Sequence, residues 1–451
     1  MNDCITIAHR LPSFCVTEDP QIRLCTDGSR MFRTKGDIVS DIEYVCPECG
    51  SEVHLHAYET VFLRDIPILT VPHMLEVRYK RYRCKSCQFE IREDIPFKLK
   101  EHFITERCAR LVLYYLSFGM TNKAVHRLLG LNVHLIKEIE KSHLKKLFDA
   151  AVLRPSRYIA IDEISIHSHH RYATVVIDLE SGHVLFCEAG KKKDQVYNFI
   201  RFVGKKWLKG VVAVSMDMNA QYASAFKEAA PHIDIVYDCF HMIKLYGDSV
   251  LTLMRRRLQK KALEDNDRTT YDTLKGGRFI LLSTKQTIKE KDLKARKNNR
   301  QLSQEYESKG LDLPPGKRKR RIDNELRLKR LMEINRDLNT AYVLLEQFRL
   351  AYQVDDKDEL QQGMQLWCSV ARKSKIPELI RFAQTIERHM EGITNHAKHP
   401  ISSGKLEGVN NLAKVIKRNA YGFVDDEYFF LKLKQASRRP YYKPKSPRFL
   451  H

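Results

Sequence analysis

Within these 451 residues no apolar run approaches the ~18 that a membrane span needs, so no membrane partner is expected. The opening MNDCITIAHR lacks the charged-then-apolar layout of a signal peptide, which places the chain in the cytoplasm. Acidic side chains are in deficit: 56 Asp and Glu against 78 Lys and Arg leave a net charge of +22, which favours a polyanion such as nucleic acid. Cysteine is present as an odd number, 11, and in a cytosolic chain that argues against a disulfide framework. Tryptophan occurs twice; Trp367, in a charged helical stretch, reads as a core residue more readily than as a base-stacking one.

The length is suited to about three domains, and 43% hydrophobic residues suffice for packed cores. The excess positive charge is clustered. Arg255, Arg256, Arg257, Lys260 and Lys261 form one group, Lys317–Arg321 another, and residues 431–451 a basic tail without an acid. Each cluster alone reads equally as a solvated surface.

Residues 1–40, with scattered Cys4, Cys15 and Cys25, show no period and read as a lead-in without assigned function. Residues 41–100 carry two CxxC knuckles, Cys46/Cys49 and Cys84/Cys87. Two such turns supply the four soft thiolates that a structural Zn²⁺ prefers, and the long gap between them predicts a hairpin with Val77–Cys84 as one strand. His54 and His56 are left as strand residues.

From 101 to 150 the period turns helical: one helix to Gly119, a second from an N-cap at Thr121 to Leu129, and a third over Val133–Leu147. This reads as a helix-turn-helix, with a plain three-helix packing unit as the alternative. His134, Lys137, Lys141 and Lys145 on the third helix suit contacts to DNA phosphates.

Beyond Pro155 the pattern becomes βββαβαβα, an order that resembles a ribonuclease-H-like domain. Residues 151–258 form its first part, 259–395 a charged helical insertion, and 396–430 its final helix. The fold class expected is therefore multidomain α+β. Asp162 lies in the first strand, Asp217 just past the fourth and Glu407 at the start of the last helix. Any one of these acids alone reads as a turn or cap residue; together they suit the hard cations of phosphoryl transfer. Glu163 points to the face opposite Asp162, because strand side chains alternate. Asp178 and Glu180 are assigned to a turn. Asp238 and His241 form a D-x-x-H pair at the end of the fifth strand, while Glu407, Asn410, Asn411 and Lys414 share one face of the last helix.

The segments Ile161-Asp162-Glu163, Asp217 through Tyr222 to Pro231, Val236–His241 and Ser403–Asn411, with Lys417-Arg418 and Tyr421-Gly422, resemble bacterial insertion-sequence transposases of the ISL-three group nearly end to end. The resemblance implies that Asp162, Asp217 and Glu407 are a DDE triad holding two Mg²⁺. Asp238 and His241 read as auxiliary from their place at the strand end, with a satisfied core histidine as the alternative, and Asn410, Asn411 and Lys414 from the helix face they share with Glu407; the resemblance adds Lys417 and Arg418 to His134, Lys137, Lys141 and Lys145 as DNA contacts. Terminal inverted repeats and target DNA would be the partners, with a homo-oligomer on DNA in the nucleoid. Cys239 departs from the pattern where Arg is frequent, and Ser402-Ser403 departs before Gly404. A non-catalytic DNA-binding regulator and a nuclease without strand transfer are the competing functions.

Overall fold

The computed structural model describes residues 11–26, 28–40, 42–167, 171–310 and 323–438. Cys4, the break at 314–316, the basic run 317–321 and the end of the tail beyond 438 lie outside them. The chain divides into two compact units: residues up to Ala151 with Asn419–Tyr421, and residues from Val152 through Arg418 and again from Gly422. Among the described residues no helix is long and apolar enough to cross a membrane.

The first unit opens with a sheet of β1 (Phe14–Leu24), β2 (Arg30–Ile38), β3 (Val53–Ile68), β4 (Val71–Cys84) and β5 (Glu90–Arg92), ordered β1-β2-β4-β3 with β5 on β4. The lead-in reading of residues 1–40 is thus corrected: β1 and β2 extend the sheet. Thr34, Gly36 and Ile38 alternate inward on β2, a period hidden from sequence because Thr and Gly are not apolar markers. The expected hairpin is β3–β4, paired from Ile68↔Val71 at the turn to Val53↔Cys84 at the open end.

Three helices follow: α1 (Glu106–Ser117), α2 (Asn122–Leu129) and α3 (Val133–Asp149), capped by the side chains of Thr105, Thr121 and Asn132. Gly130 ends α2 at φ +65°, the left-handed conformation that glycine adopts without Cβ strain. Val112, Leu116, Val125, Leu129 and Ile136 form their core. Sheet and helices are joined by the buried Asp65, which accepts from Arg107 Nε at 2.7 Å and Thr105 Oγ1 at 2.6 Å, with His73 Nδ1 3.3 Å away. Burial opposes the charge of Asp65, but Arg107, His73 and Thr105 outweigh it and hold the carboxyl well below the usual range.

The second unit is built on β6 (Tyr158–His167), β7 (Arg171–Asp178) and β8 (Val184–Ala189), then α4 (Lys193–Leu208), β9 (Ala213–Met216), α5 (Ala220–Ala229), β10 (Asp234–Tyr237) and α6 (Cys239–Tyr246). The sheet order is β10-β9-β6-β7-β8; β6 runs antiparallel to β7 and parallel to β9, and β9 parallel to β10. Asp178 accepts from Ser156 Oγ and from the backbone of Glu180 and Ser181, which fixes the β7–β8 turn as expected.

Alternation along the strands divides two cores. Ile159, Ile161, Val214 and Met216 face α4, α5 and the insertion, whereas Ala160, Ile164, Val175 and Ile177 face Leu406, Val409, Phe429 and Leu433.

Between α6 and residue 400 the described chain is helical: Thr252–Glu264, Arg268–Leu274, Arg278–Leu281, Lys285–Glu307, Asn324–Ile334, Arg336–Ala351, Lys357–Lys373, Pro377–Arg388 and Met390–Lys398. These helices share the first core with the sheet. Tyr246 Oη donates to Ala341 O at 2.6 Å and Asn395 Nδ2 to Ile235 O at 3.0 Å. Gly392 lets the Met390–Lys398 helix lie on β10, since a Cβ there would come within 2.4 Å of the Tyr237 ring. Trp367, 3% exposed, donates to Leu344 O and packs on Phe348 and Phe382, as expected of a core residue.

The helix bearing Glu407 is Gly404–Asn419, and the chain leaves it through Tyr421 and Gly422 at φ +55° and +102°. It is not the last helix. Asp426–Ser437 follows, N-capped by Asp425, with Phe429, Leu431 and Leu433 buried and the Ser437 hydroxyl accepting from Val184 N. The basic tail placed at 431 therefore begins after Ser437, because its first residues are core.

Candidate active site

Asp162, midway along β6, and Asp217, the first residue past the parallel neighbour β9, lie on one face of the sheet. Ala160 pairs with Ser215, and each aspartate stands two residues further along the chain, so both side chains fall on the same side of the pleat. That side is covered by the Gly404–Asn419 helix, where Asn410 Nδ2 donates to Asp162 Oδ2 at 2.8 Å. Burial raises the Asp217 carboxyl, and the charge of Asp162 raises it further; His241, the Asn219 N–H and Lys244 pull the other way. Two half-hidden like charges kept side by side are typical of cation sites.

Glu407 stands one turn before Asn410, exposed to solvent. Among the described residues it does not come together with the two aspartates at ligand distance; Cys46, Cys49, Cys84 and Cys87 are the group of candidate ligands whose atoms lie within 4.8 Å of one another. Asn411, Lys414 and Arg418 are exposed, and Lys417 Nζ donates to Ser165 O at 3.0 Å.

Asp238 is 4% exposed and acts as a strut. One carboxylate oxygen caps α6 through Phe240 N at 2.7 Å, and the other accepts from the N–H of Ser403, just before the helix of Glu407. His241 is half-buried beside Asp217. Cys239 packs into the core, and burial pushes its thiol up to about 12.

One contact, between Glu163 and Asn219, escaped the sequence reading. Glu163 lies on the opposite face from Asp162, as expected, yet its Oε1 accepts from Asn219 Nδ2 at 2.9 Å. Burial and the Asp217 charge raise its carboxyl. Asn219 is the N-cap of α5; the N-cap residue type just before a helical run was the signal available.

In the first unit the knuckles meet at the open end of the β3–β4 hairpin. Sγ–Sγ distances are 3.5 Å for Cys46–Cys87, 3.4 Å for Cys49–Cys84 and 3.5 Å for Cys49–Cys87. A tetrahedron of sulfurs about 2.3 Å from Zn²⁺ has edges of about 3.8 Å, so the set fits that ion closely. Hydrogen bonds from Ser51 lower the Cys49 thiol to about 6, while those shared with Cys46 and Cys49 raise the Cys87 thiol. On α3, His134, Lys137, Lys141 and Lys145 lie on the face away from Ile136 and Ile139.

Residues 43–87 match the zinc-finger of transposase IS204/IS1001/IS1096/IS1165, and residues 159–433 match the ISL3-type DDE family described as transposase. The chain is 28% identical to the transposase for insertion sequence element IS1001 of Bordetella parapertussis over 397 residues, 87% of this chain and 88% of that one. It is 26% identical over 286 residues to the transposase for IS1557 of Mycobacterium tuberculosis, 59% of this chain and 57% of that one. With the matched domain spanning more than half its length, the chain belongs to the ISL3 family of DDE transposases.

Proposed function

We propose that the protein cleaves the ends of its insertion sequence and joins them to target DNA with Asp162, Asp217 and Glu407 as the acidic triad, in a ribonuclease-H-like domain. The observation that carries this reading is the pair of aspartates on one face of β6 and β9, beneath a helix whose Asn410 already binds Asp162. The donor set suits Mg²⁺: carboxylates are hard ligands, and Asn410 Oδ1 is a further buried oxygen with no hydrogen-bond partner among the described residues. Magnesium bound to Asp162, Asp217 and Glu407 would activate the attacking hydroxyl and steady the leaving oxygen.

The protein's own groups would do the rest. Asp238 anchors the helix of Glu407 through Ser403, and Asn410 holds that helix to β6. Lys244 puts positive charge near Asp217, and His241 stands beside it, where a phosphate of the scissile strand would approach. The first unit would bind the terminal inverted repeats, with the zinc-stabilised ribbon supporting α1–α3 as a helix-turn-helix and the lysines of α3 on phosphates. Assembly as a homo-oligomer on paired ends belongs to the same reading.

The test is purified protein with end DNA carrying the inverted repeats, with and without Mg²⁺. Metal-dependent cleavage followed by joining to a target supports it. Binding without cleavage would make the protein a regulator, and cleavage without joining a nuclease.

A further inference from the structure

Asn219 is bonded in three directions. Its backbone N–H donates to Asp217 Oδ1 at 3.1 Å. Its side-chain oxygen caps α5, accepting from Gln221 N at 2.9 Å and Tyr222 N at 3.3 Å. Its side-chain amide donates to Glu163 Oε1 at 2.9 Å, reaching the strand that carries Asp162.

We propose that Glu163, acting through Asn219, is a positioning residue that fixes the direction of the Asp217 carboxylate for phosphoryl transfer. The proposal rests on Asp217 being a catalytic carboxylate.

An N-cap needs an acceptor oxygen; it does not need a partner for the amide N–H₂. Here that spare donor is taken by a half-buried carboxylate on the next strand. With its oxygen aimed at α5 and its nitrogen held by Glu163, the Asn219 amide plane cannot turn. The backbone N–H that meets Asp217 is set by the same residue. Asp217 is the first residue past β9, and this N–H is one of the few contacts that orient it.

The experiment uses the full chain and four variants: Glu163→Ala, Glu163→Gln, Asn219→Ser and Asp217→Asn. Glutamine keeps an amide oxygen that accepts from Asn219, and serine keeps the helix cap but cannot reach Glu163. Four quantities are measured: cleavage of end DNA in Mg²⁺, end binding, thermal unfolding, and Mn²⁺ binding to the DNA-free protein by calorimetry. Glu163→Ala and Asn219→Ser are expected to lose about 10–100-fold in cleavage and to bind Mn²⁺ more weakly, the usual effect of losing a group that orients a metal ligand. End binding and unfolding temperature should stay at wild-type values, and Glu163→Gln should restore cleavage and Mn²⁺ binding to within a few-fold.

Glu163→Ala and Asn219→Ser both within twofold of wild type in cleavage and Mn²⁺ affinity would overturn the proposal, provided Asp217→Asn is inactive. So would Glu163→Gln as damaged as Glu163→Ala, since the carboxylate would then act by its charge and not as an acceptor. If Glu163→Ala does not fold, Asn219→Ser and Glu163→Gln decide alone. Full cleavage by Asp217→Asn would instead remove the triad reading on which the proposal stands.

Discussion

Cys46, Cys49, Cys84 and Cys87 come from two turns at the open end of a single hairpin, whereas Asp162, Asp217 and Glu407 come from a strand, a strand end and a helix far apart in the chain. Three of the sulfur pairs stand 3.4–3.5 Å apart, within hydrogen-bonding reach of one another. Two carboxylates about 4 Å apart repel by ~4 kcal/mol even at an effective dielectric of ~20, so an acidic site does not close by itself. It is propped instead: Asn410 holds Asp162, Asn219 holds Asp217, and Asp238 anchors the helix of Glu407. The cysteine cluster is therefore closed by its own hairpin, whereas the acids of the proposed triad are carried by elements whose apolar cores do not include them.

The sharpest way to break that contrast is to neutralise the acids. Asp162→Asn, Asp217→Asn and Glu407→Gln should each reduce cleavage and joining to below about one-thousandth of wild type, a barrier increase of ~4 kcal/mol. Each should leave folding and end binding intact, and DNA affinity without metal should rise modestly as a repelling charge is lost. Strand-cleavage assays beside binding measurements check this; a variant that loses its fold with its activity would show the site to be structural after all.

The cysteines should behave in the opposite way. Purified protein is expected to contain about one zinc per chain, and Cys46→Ser or a strong chelator should unfold the ribbon and weaken end binding, because the binding energy of a structural zinc is folding energy. Metal analysis and near-ultraviolet circular dichroism test the point. Protein with no zinc and an intact ribbon would sink it.

The cysteine cluster was legible in the sequence because its signal is local. A CxxC knuckle is a few residues long, and the start of α2 was announced by Thr121 as its N-cap. The alternation of Ile159 and Ile161 against Ala160 and Ile164 also placed Asp162 and Glu163 on opposite faces correctly. The failures lie where burial is carried by residues that are not apolar markers or where the pattern is brief. On β2 it is Thr34 and Gly36 that point inward. In Asp426–Ser437 the lysines drew the eye, although Asp425 as cap and Tyr428-Phe429 mark a helix start. Contacts such as Asn219 with Glu163 join residues distant in sequence, and no period reports them.

The Asp65 network tests how much of the ribbon's stability lies outside its cysteines. Arg107→Met leaves a carboxylate buried without its main counter-ion and should destabilise the first unit by about 3–5 kcal/mol. Since the folded-state pKa of Asp65 is depressed, the unfolded chain binds more protons at low pH. The contribution of this group is then complete above the ordinary aspartate value of about 3.9 and is lost as pH falls below it. Chemical denaturation of the full chain from pH 6 to pH 3 should show wild type and Arg107→Met converging as the acid limit is approached. Parallel curves at all pH values would remove the ion pair from the explanation.

The smallest effect concerns DNA, and it separates the two units by what their charges do. Lys137, Lys141 and Lys145 follow one face of α3, and a lysine on a phosphate releases about one counterion when DNA binds. Each single change to alanine should reduce the slope of log affinity against log salt by about one and weaken binding about equally for matched and scrambled ends, because phosphates carry no sequence. His134 lies at the N-terminal end of the same face and belongs to the same set of phosphate contacts, so His134→Ala should likewise weaken matched and scrambled ends about equally. The triad substitutions remove negative charge near the scissile phosphate and should leave the salt slope unchanged or slightly steeper. A lysine or His134 variant that alters the matched-to-scrambled ratio would reverse the assignment of this helix face and place it against base edges and not phosphates.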